Sequence, residues 1–135
     1  MASKLRAKSL NAADIRKESG IAVPEWDITV DVWGMTGAQR AKAIATSRDE
    51  DGSMDTGKLA VAVIIATVRD PETGELVYDE GDRDTLLGKS GEVLDRLATI
   101  GLRLSGMTPE ARETIRKNSE TASDGSTSDS PKVSA

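Results

Sequence analysis

An α+β fold, mainly helical, with an N-terminal β-hairpin packed on three or more helices and a disordered C-terminal tail, is predicted by three features. Residues 28–33 (ITVDVW) alternate aliphatic and polar side chains, as a half-buried strand does. Residues 36–39 (TGAQ) have the spacing of a helix capping box. Residues 86–107 (LLGKSGEVLDRLATIGLRLSGM) repeat apolar side chains at helical spacing.

Residues 1–8 are small and polar and are expected to be flexible; the ordered domain is expected to span 9–118. The stretch SLNAADI can form one helical turn with Ser9 as its N-cap. Two short β-prone runs then flank a turn at Pro24 and Trp26. In the second run Ile28, Val30 and Val32 share one face, and Trp33 falls on the opposite face with Thr29 and Asp31. Thr36 and Gln39 open a helix expected over 37–47, rich in alanine. A loop, RDEDGSMD, leads to TGKLAVAVIIATVRD. Here local reasoning divides. The β-branched Val61, Val63, Ile64, Ile65 and Val68 suit a buried strand, whereas the length of the run suits a buried helix. Pro71 and Gly74 make a turn before a short extended piece around Tyr78. The next helix is capped by Ser90 and carries Val93, Leu94, Leu97, Ile100, Leu102 and Leu104. Gly101 within it costs about 1 kcal/mol against alanine, which points to a close contact or a bend. Gly106 ends it, and Thr108 with Pro109 starts a further helix. Residues 119–135 form an acidic, Ser-rich tail with too little apolar surface to order itself.

Composition narrows the function. The 135 residues fit one domain, and its core must be aliphatic, since the chain has no Phe, two Trp and one Tyr. A net charge of −5 argues against a dedicated nucleic-acid or anionic-membrane binder. There is no Cys and no His, so thiolate and imidazole chemistry and ordinary zinc sites are absent. The longest apolar run, residues 59–66, is too short to span a bilayer, and the N-terminus lacks the apolar core of a signal peptide. These features suggest a soluble intracellular protein.

No motif argues for catalysis. GKS at 88–90 ends like a phosphate loop, but the first glycine of that loop would fall at Arg83 and no strand feeds it. A calcium loop counted from Asp49 would need glycine at Met54 and glutamate at Ala60. Carboxylate pairs such as Glu72 with Glu75 lie in turns, with nothing to tune them. No catalytic, cofactor-binding or metal-binding residue is assigned, no cofactor is expected, and the chain is not expected to be an enzyme.

The stretch VPEWDITVDVWGMTGAQRAK resembles the start of the tail assembly chaperones of long-tailed bacteriophages. The matching residues are Pro24, Glu25, Trp26, Val30, Val32, Gly34, Met35, Thr36, Gly37 and Arg40. A second block also matches: an apolar helix, the turn DPETG, a short aromatic strand, the link LLGKS at 86–90, an amphipathic helix, LSGMT and the closing Lys117 and Asn118. The resemblance covers about residues 10–118. The chain departs from it at Asp27 and Ile28, where a two-glycine turn is usual, and in the mixed charges of GDRDT. On the resemblance, and not on propensity, the run at 59–68 is assigned to a helix.

The resemblance implies a non-enzymatic role in the cytoplasm of the infected bacterial host. The protein would bind the tape-measure protein, promote tail tube assembly around it, and be absent from the mature virion. The tail tube protein and a longer frameshifted form of the chain are the further partners implied. Ser130, Pro131 and Lys132 are the expected frameshift position, because their codons can form a slippery run. The alternatives are a virion structural protein, such as a head–tail adaptor or minor tail component, and a regulatory module for another protein. Trp33, Met35 and Leu102 are the expected partner-binding residues. Pro24, Trp26, Gly34, Thr36 and Gly37 are expected to hold the hairpin and the following cap. A core Trp26 implies a loss of about 3–5 kcal/mol for Trp26→Ala, whereas an anchor at Trp33 implies a nearly unchanged melting temperature for Trp33→Ala.

Overall fold

Alternation along residues 28–33 predicts one buried and one outer sheet face, and that is what forms. The computed structural model describes residues 3–107, and the fold below is that of residues 3–105. The expected Thr108–Pro109 helix start, the tail at 119–135 and the position at Ser130, Pro131 and Lys132 lie outside the described residues. Strands β1 (Lys17–Val23) and β2 (Ile28–Trp33) pair antiparallel, with Val23 opposite Ile28 and Lys17 opposite Trp33. Val23, Val30 and Val32 are buried, and Ile28 is half-buried.

The four residues between the strands hold the turn. Pro24–Trp26 form one 3-10 turn with proline at its start, and Asp27 takes a left-handed φ of 55°. Aspartate tolerates that region better than most side chains. Asp27 therefore meets, without glycine, the backbone demand of a tight hairpin. A bulge between Glu18 and Ile21 shifts the register, and the Gly20 amide donates to the Asp31 carboxylate at 3.1 Å. A third, two-residue strand, β3 (Val68–Arg69), pairs antiparallel with the other edge of β2. The sheet is thus three-stranded, and β2 is its centre. The short extended piece expected around Tyr78 is reduced to a single bridge between Arg69 and Leu76.

Five helices complete the domain: α1 (Lys4–Leu10), α2 (Gly37–Thr46), α3 (Thr56–Thr67), α4 (Arg83–Leu87) and α5 (Gly91–Leu104). The expected turn with Ser9 as cap is corrected. The helix starts earlier, because the Ser3 hydroxyl accepts the Arg6 amide at 3.0 Å, and Ser9 lies inside it. At α2 the capping box forms in full. Thr36 Oγ1 accepts the Gln39 amide at 3.1 Å, and the Gln39 side-chain oxygen accepts the Thr36 amide at 2.8 Å. Gln39 also donates to the Ala66 carbonyl at 3.3 Å, tying the start of α2 to the end of α3.

The divided run at 59–68 is helix up to Thr67 and strand from Val68. Its N-cap is Asp55, whose carboxylate accepts the Lys58 amide at 3.0 Å. Leu59, Ala60, Val61, Ala62, Val63, Ile64, Ile65 and Thr67 are all buried. A helix apolar on every side is stable only in the middle of a core. α3 has that place, packed against α2, α4 and α5. α5 buries Val93, Leu94, Leu97, Ala98 and Gly101. Ser90 stands at its N-cap position but makes no side-chain capping bond; its carbonyl accepts the Leu94 amide at 3.0 Å.

Helix α5 is fastened to the hairpin at two places. Near the turn, Arg96 donates to both Glu25 oxygens at 2.6 and 3.1 Å, and this bonding holds the Glu25 carboxyl below its ordinary pKa. At the open end, Arg16 donates to the carbonyls of Arg103 and Leu104 in the last turn of the helix. There the Met35 amide donates to Ser105 Oγ at 2.8 Å, and Gly34 lies against Leu104.

Candidate functional site

Trp33 projects from the outer face of the central strand, where alternation puts it. It is not a free anchor. Its cross-strand neighbour Lys17, on β1, places its ammonium 4.0 Å from the ring centroid. On the other side, Arg69 of β3, opposite Asp31, places its guanidinium 4.3 Å from the same ring. Arg69 also donates to the Gly74 carbonyl at 3.0 Å, which brings the DPETG turn to the indole. A half-buried indole held by two cations is a cross-strand staple. Trp33→Ala is therefore expected to lower stability by about 1–2 kcal/mol, two cation–π contacts at about 0.5–1 kcal/mol each. A thermal melt that does not move would return Trp33 to the role of a free anchor.

The other expected contact residues have different surroundings. Met35 is 8 % exposed, so its side chain belongs to the interior and is not presented to a partner. Its amide is held by Ser105 at the end of α5. Leu102 is half-buried on α5. Three different surroundings thus hold Trp33, Met35 and Leu102. Pro24 and Trp26 lie in the 3-10 turn, Gly34 packs against Leu104, Thr36 is the N-cap of α2, and Gly37 is its first residue, with open space where a Cβ would stand.

Sequence reasoning missed an apolar cleft of about 260 Å³. Trp26 from the turn, Ile28 from β2, Tyr78 and Leu86 from α4 wall it, with Asp82 and Lys89 at its polar parts. It gathers two of the chain's three aromatic residues. Trp26 is half-buried there, so Trp26→Ala is expected to cost less than for a core tryptophan, about 1–3 kcal/mol. Asp82 is fixed by reciprocal capping: its Oδ2 accepts the Asp79 amide at 2.9 Å, and Asp79 Oδ1 accepts the Gly81 amide at 2.8 Å. The available signal was faint. The lone tyrosine and the turn tryptophan are 52 residues apart, and only the fold brings them together.

Burial, and to a smaller degree the Asp82 carboxylate, pushes the Tyr78 phenol above its ordinary pKa. The neutral phenol is the form that the fold favours. Its contribution to stability is whole below the ordinary tyrosine pKa, about 10, and is lost as pH rises through the raised value. Since Tyr78 is the only tyrosine, absorbance of its phenolate should titrate with a midpoint above that of a free tyrosine. Unfolding in denaturant should bring the midpoint back to the ordinary value.

A second, smaller groove of about 120 Å³ runs between α2 and α3 past Ala43, Ala62, Ile65 and Leu76. Among the described residues no group of three or more His, Cys, Asp or Glu could hold a metal ion, and no helix is long and apolar enough to cross a membrane.

No protein-family model matches the chain, and no curated protein does. A solved structure does: the bacteriophage HK97 tail assembly chaperone. The TM-score is 0.56 at 19% sequence identity, over 76% of this chain and 95% of that one. The two proteins share a fold.

Proposed function

We propose that the protein is a tail assembly chaperone of a long-tailed phage. It binds the tape-measure protein, keeps it from aggregating and promotes assembly of the tail tube around it, and it does so by binding alone. The observation that carries this reading is the fold shared with the HK97 tail assembly chaperone across nearly all of that protein. The order of the PEW turn, the Thr36–Gln39 capping box, the DPETG turn and the amphipathic helix gives independent support from sequence.

The decisive experiment co-expresses the chain with the tape-measure protein of the same phage. The expected result is a soluble tape-measure protein that is captured with the chain. Unchanged solubility and no capture would remove this client. Mass spectrometry of purified virions provides the second arm, with the chain expected to be absent. Abundant chain in mature particles would favour a head–tail adaptor or minor tail component instead. The longer form is expected to arise at the codons of Ser130, Pro131 and Lys132. A non-slippery nucleotide sequence there and elsewhere in residues 119–135 would rule that form out.

A further inference from the structure

We infer that the Asp51–Gly52 peptide is a latent isoaspartate site: the folded loop between α2 and α3 holds its two reacting groups out of reaction, and opening of the loop releases them. This modification is independent of the chaperone reading.

In an aspartate followed by glycine the main chain can attack its own side chain, because glycine puts no Cβ in the way. The Gly52 nitrogen bonds to Asp51 Cγ, its proton and the carboxyl hydroxyl leave as water, and a cyclic imide closes. Water then adds to the ring. Where it adds at the Asp51 main-chain carbonyl carbon, the C–N bond there breaks, and the chain runs on through Cβ and Cγ. The water lost in the first step returns in the second, so composition is unchanged. The main chain is one carbon longer.

Space does not prevent this reaction. Asp51 and Gly52 are exposed, and no atom lies within 4 Å of a Cβ built at Gly52. Hydrogen bonds do prevent it. Asp51 Oδ1 accepts the Ser53 hydroxyl at 2.6 Å and the Ser53 amide at 2.9 Å, so the carboxylate is held by residue 53. The same two bonds, the hydroxyl first, hold the carboxyl below its ordinary pKa, in the ionised form that the nitrogen attacks poorly. The Gly52 amide donates to the Asp49 carbonyl at 2.9 Å, and the Gly52 carbonyl accepts from Arg48 Nη1 at 2.9 Å. Both peptide planes of the glycine are thereby fixed. The Asp49 amide closes the turn on the Ser53 carbonyl at 2.8 Å, and the Asp49 carboxylate is paired with Lys58 of α3 at 3.0 Å.

A turn of exposed hydrogen bonds opens locally without unfolding the helices that it joins. Each opening frees Asp51 for ring closure. Once isoaspartate has formed, the longer chain does not fit between the Asp49 amide and the Ser53 carbonyl, and the turn does not close again. The loop is a one-way device that records its own openings.

The test incubates the full chain at mildly acidic pH, folded and in guanidinium chloride. Isoaspartate is followed in the tryptic peptide 49–58 by chromatography and fragmentation mass spectrometry; the second Asp-Gly, at 124–125, falls on another peptide. The unfolded chain should form isoaspartate at Asp51 at least about tenfold faster than the folded chain. Ser53 is exposed, so Ser53→Ala is expected to fold. It should raise the folded rate about threefold by removing the hydroxyl bond, and leave the unfolded rate unchanged. Chain carrying isoaspartate at position 51, separated from unmodified chain, should melt at a lower temperature. Equal rates in the folded and unfolded chain overturn the inference. So does a folded rate that Ser53→Ala does not move, and so does a modified chain that melts with the unmodified one.

Discussion

Replacing Gly101 with alanine is expected to destabilise the domain, although alanine is the better helix former. A Cβ at this position would lie 2.8 Å from Val63 Cγ1, 2.9 Å from Thr67 Oγ1 and 3.2 Å from Thr67 Cγ2. Those atoms belong to α3, the buried centre of the fold. Thr67 is itself fixed, because it is fully buried and its hydroxyl donates to the Val63 carbonyl at 2.7 Å. Neither side chain can turn away without leaving its own contacts. Overpacking of this kind costs about 1–3 kcal/mol, which exceeds the gain of about 1 kcal/mol in helix propensity. Gly101→Val adds two methyl groups to the same clash and should exceed about 3 kcal/mol. Gly91 is the internal control. It lies in the first turn of the same helix with no atom within 4 Å of a built Cβ, so Gly91→Ala should be neutral or stabilise by about 0.4–1 kcal/mol. Chemical denaturation should show a loss for Gly101→Ala and none for Gly91→Ala if α3 and α5 pack as described. An equal loss in both would mean that the helix pair has another geometry.

Gly34→Ala is expected to be at least as damaging as Gly101→Ala. The obstacle here is backbone: a Cβ would stand 2.6 Å from the Leu104 carbonyl oxygen and 3.1 Å from its carbon. Leu104 cannot give way cheaply, since Arg16 donates to its carbonyl while the Arg16 carbonyl accepts the Gly34 amide at 2.8 Å. The Met35 amide is held in the same knot by Ser105. Pushing the end of α5 outward would break these bonds together. A loss of about 3 kcal/mol is expected, a large share of the roughly 5–15 kcal/mol that holds a domain of this kind. Arg16→Ala offers a milder test of the same joint. It should cost about 1–2 kcal/mol by removing two hydrogen bonds to the last turn of α5. It should also weaken the effect of Gly34→Ala when the two are combined, because α5 is then freer to shift. Strict additivity would mean that Arg16 does not hold the helix end.

Much of this was legible locally. The alternation of Ile28, Val30 and Val32, the Thr36–Gln39 box and the stripe on α5 each depend on residues within a few positions of one another. A sequence displays such relations directly. The helix at 56–67 was not legible from propensity, because its β-branched residues suit either structure. The Asp55 cap and three packing partners decide it. Ser90 shows the limit from the other side: a good capping residue at a cap position makes no side-chain capping bond. The candidate site was least legible. The cations on Trp33 come from β1 and β3, and the partner of the Met35 amide comes from the end of α5. Trp26 and Tyr78 had no reason to meet.

By itself, then, the sequence determined the hairpin, the Thr36–Gln39 cap and the apolar stripe of α5, since alternation and capping act over distances of a few residues. Which side chains face a partner was decided only by the tertiary structure. Exposure, the pairing of charges and the walls of a cleft depend on groups far apart in the chain, such as Arg16 with Leu104 and Trp26 with Tyr78. Until packing brings such groups together, no local pattern records their contact.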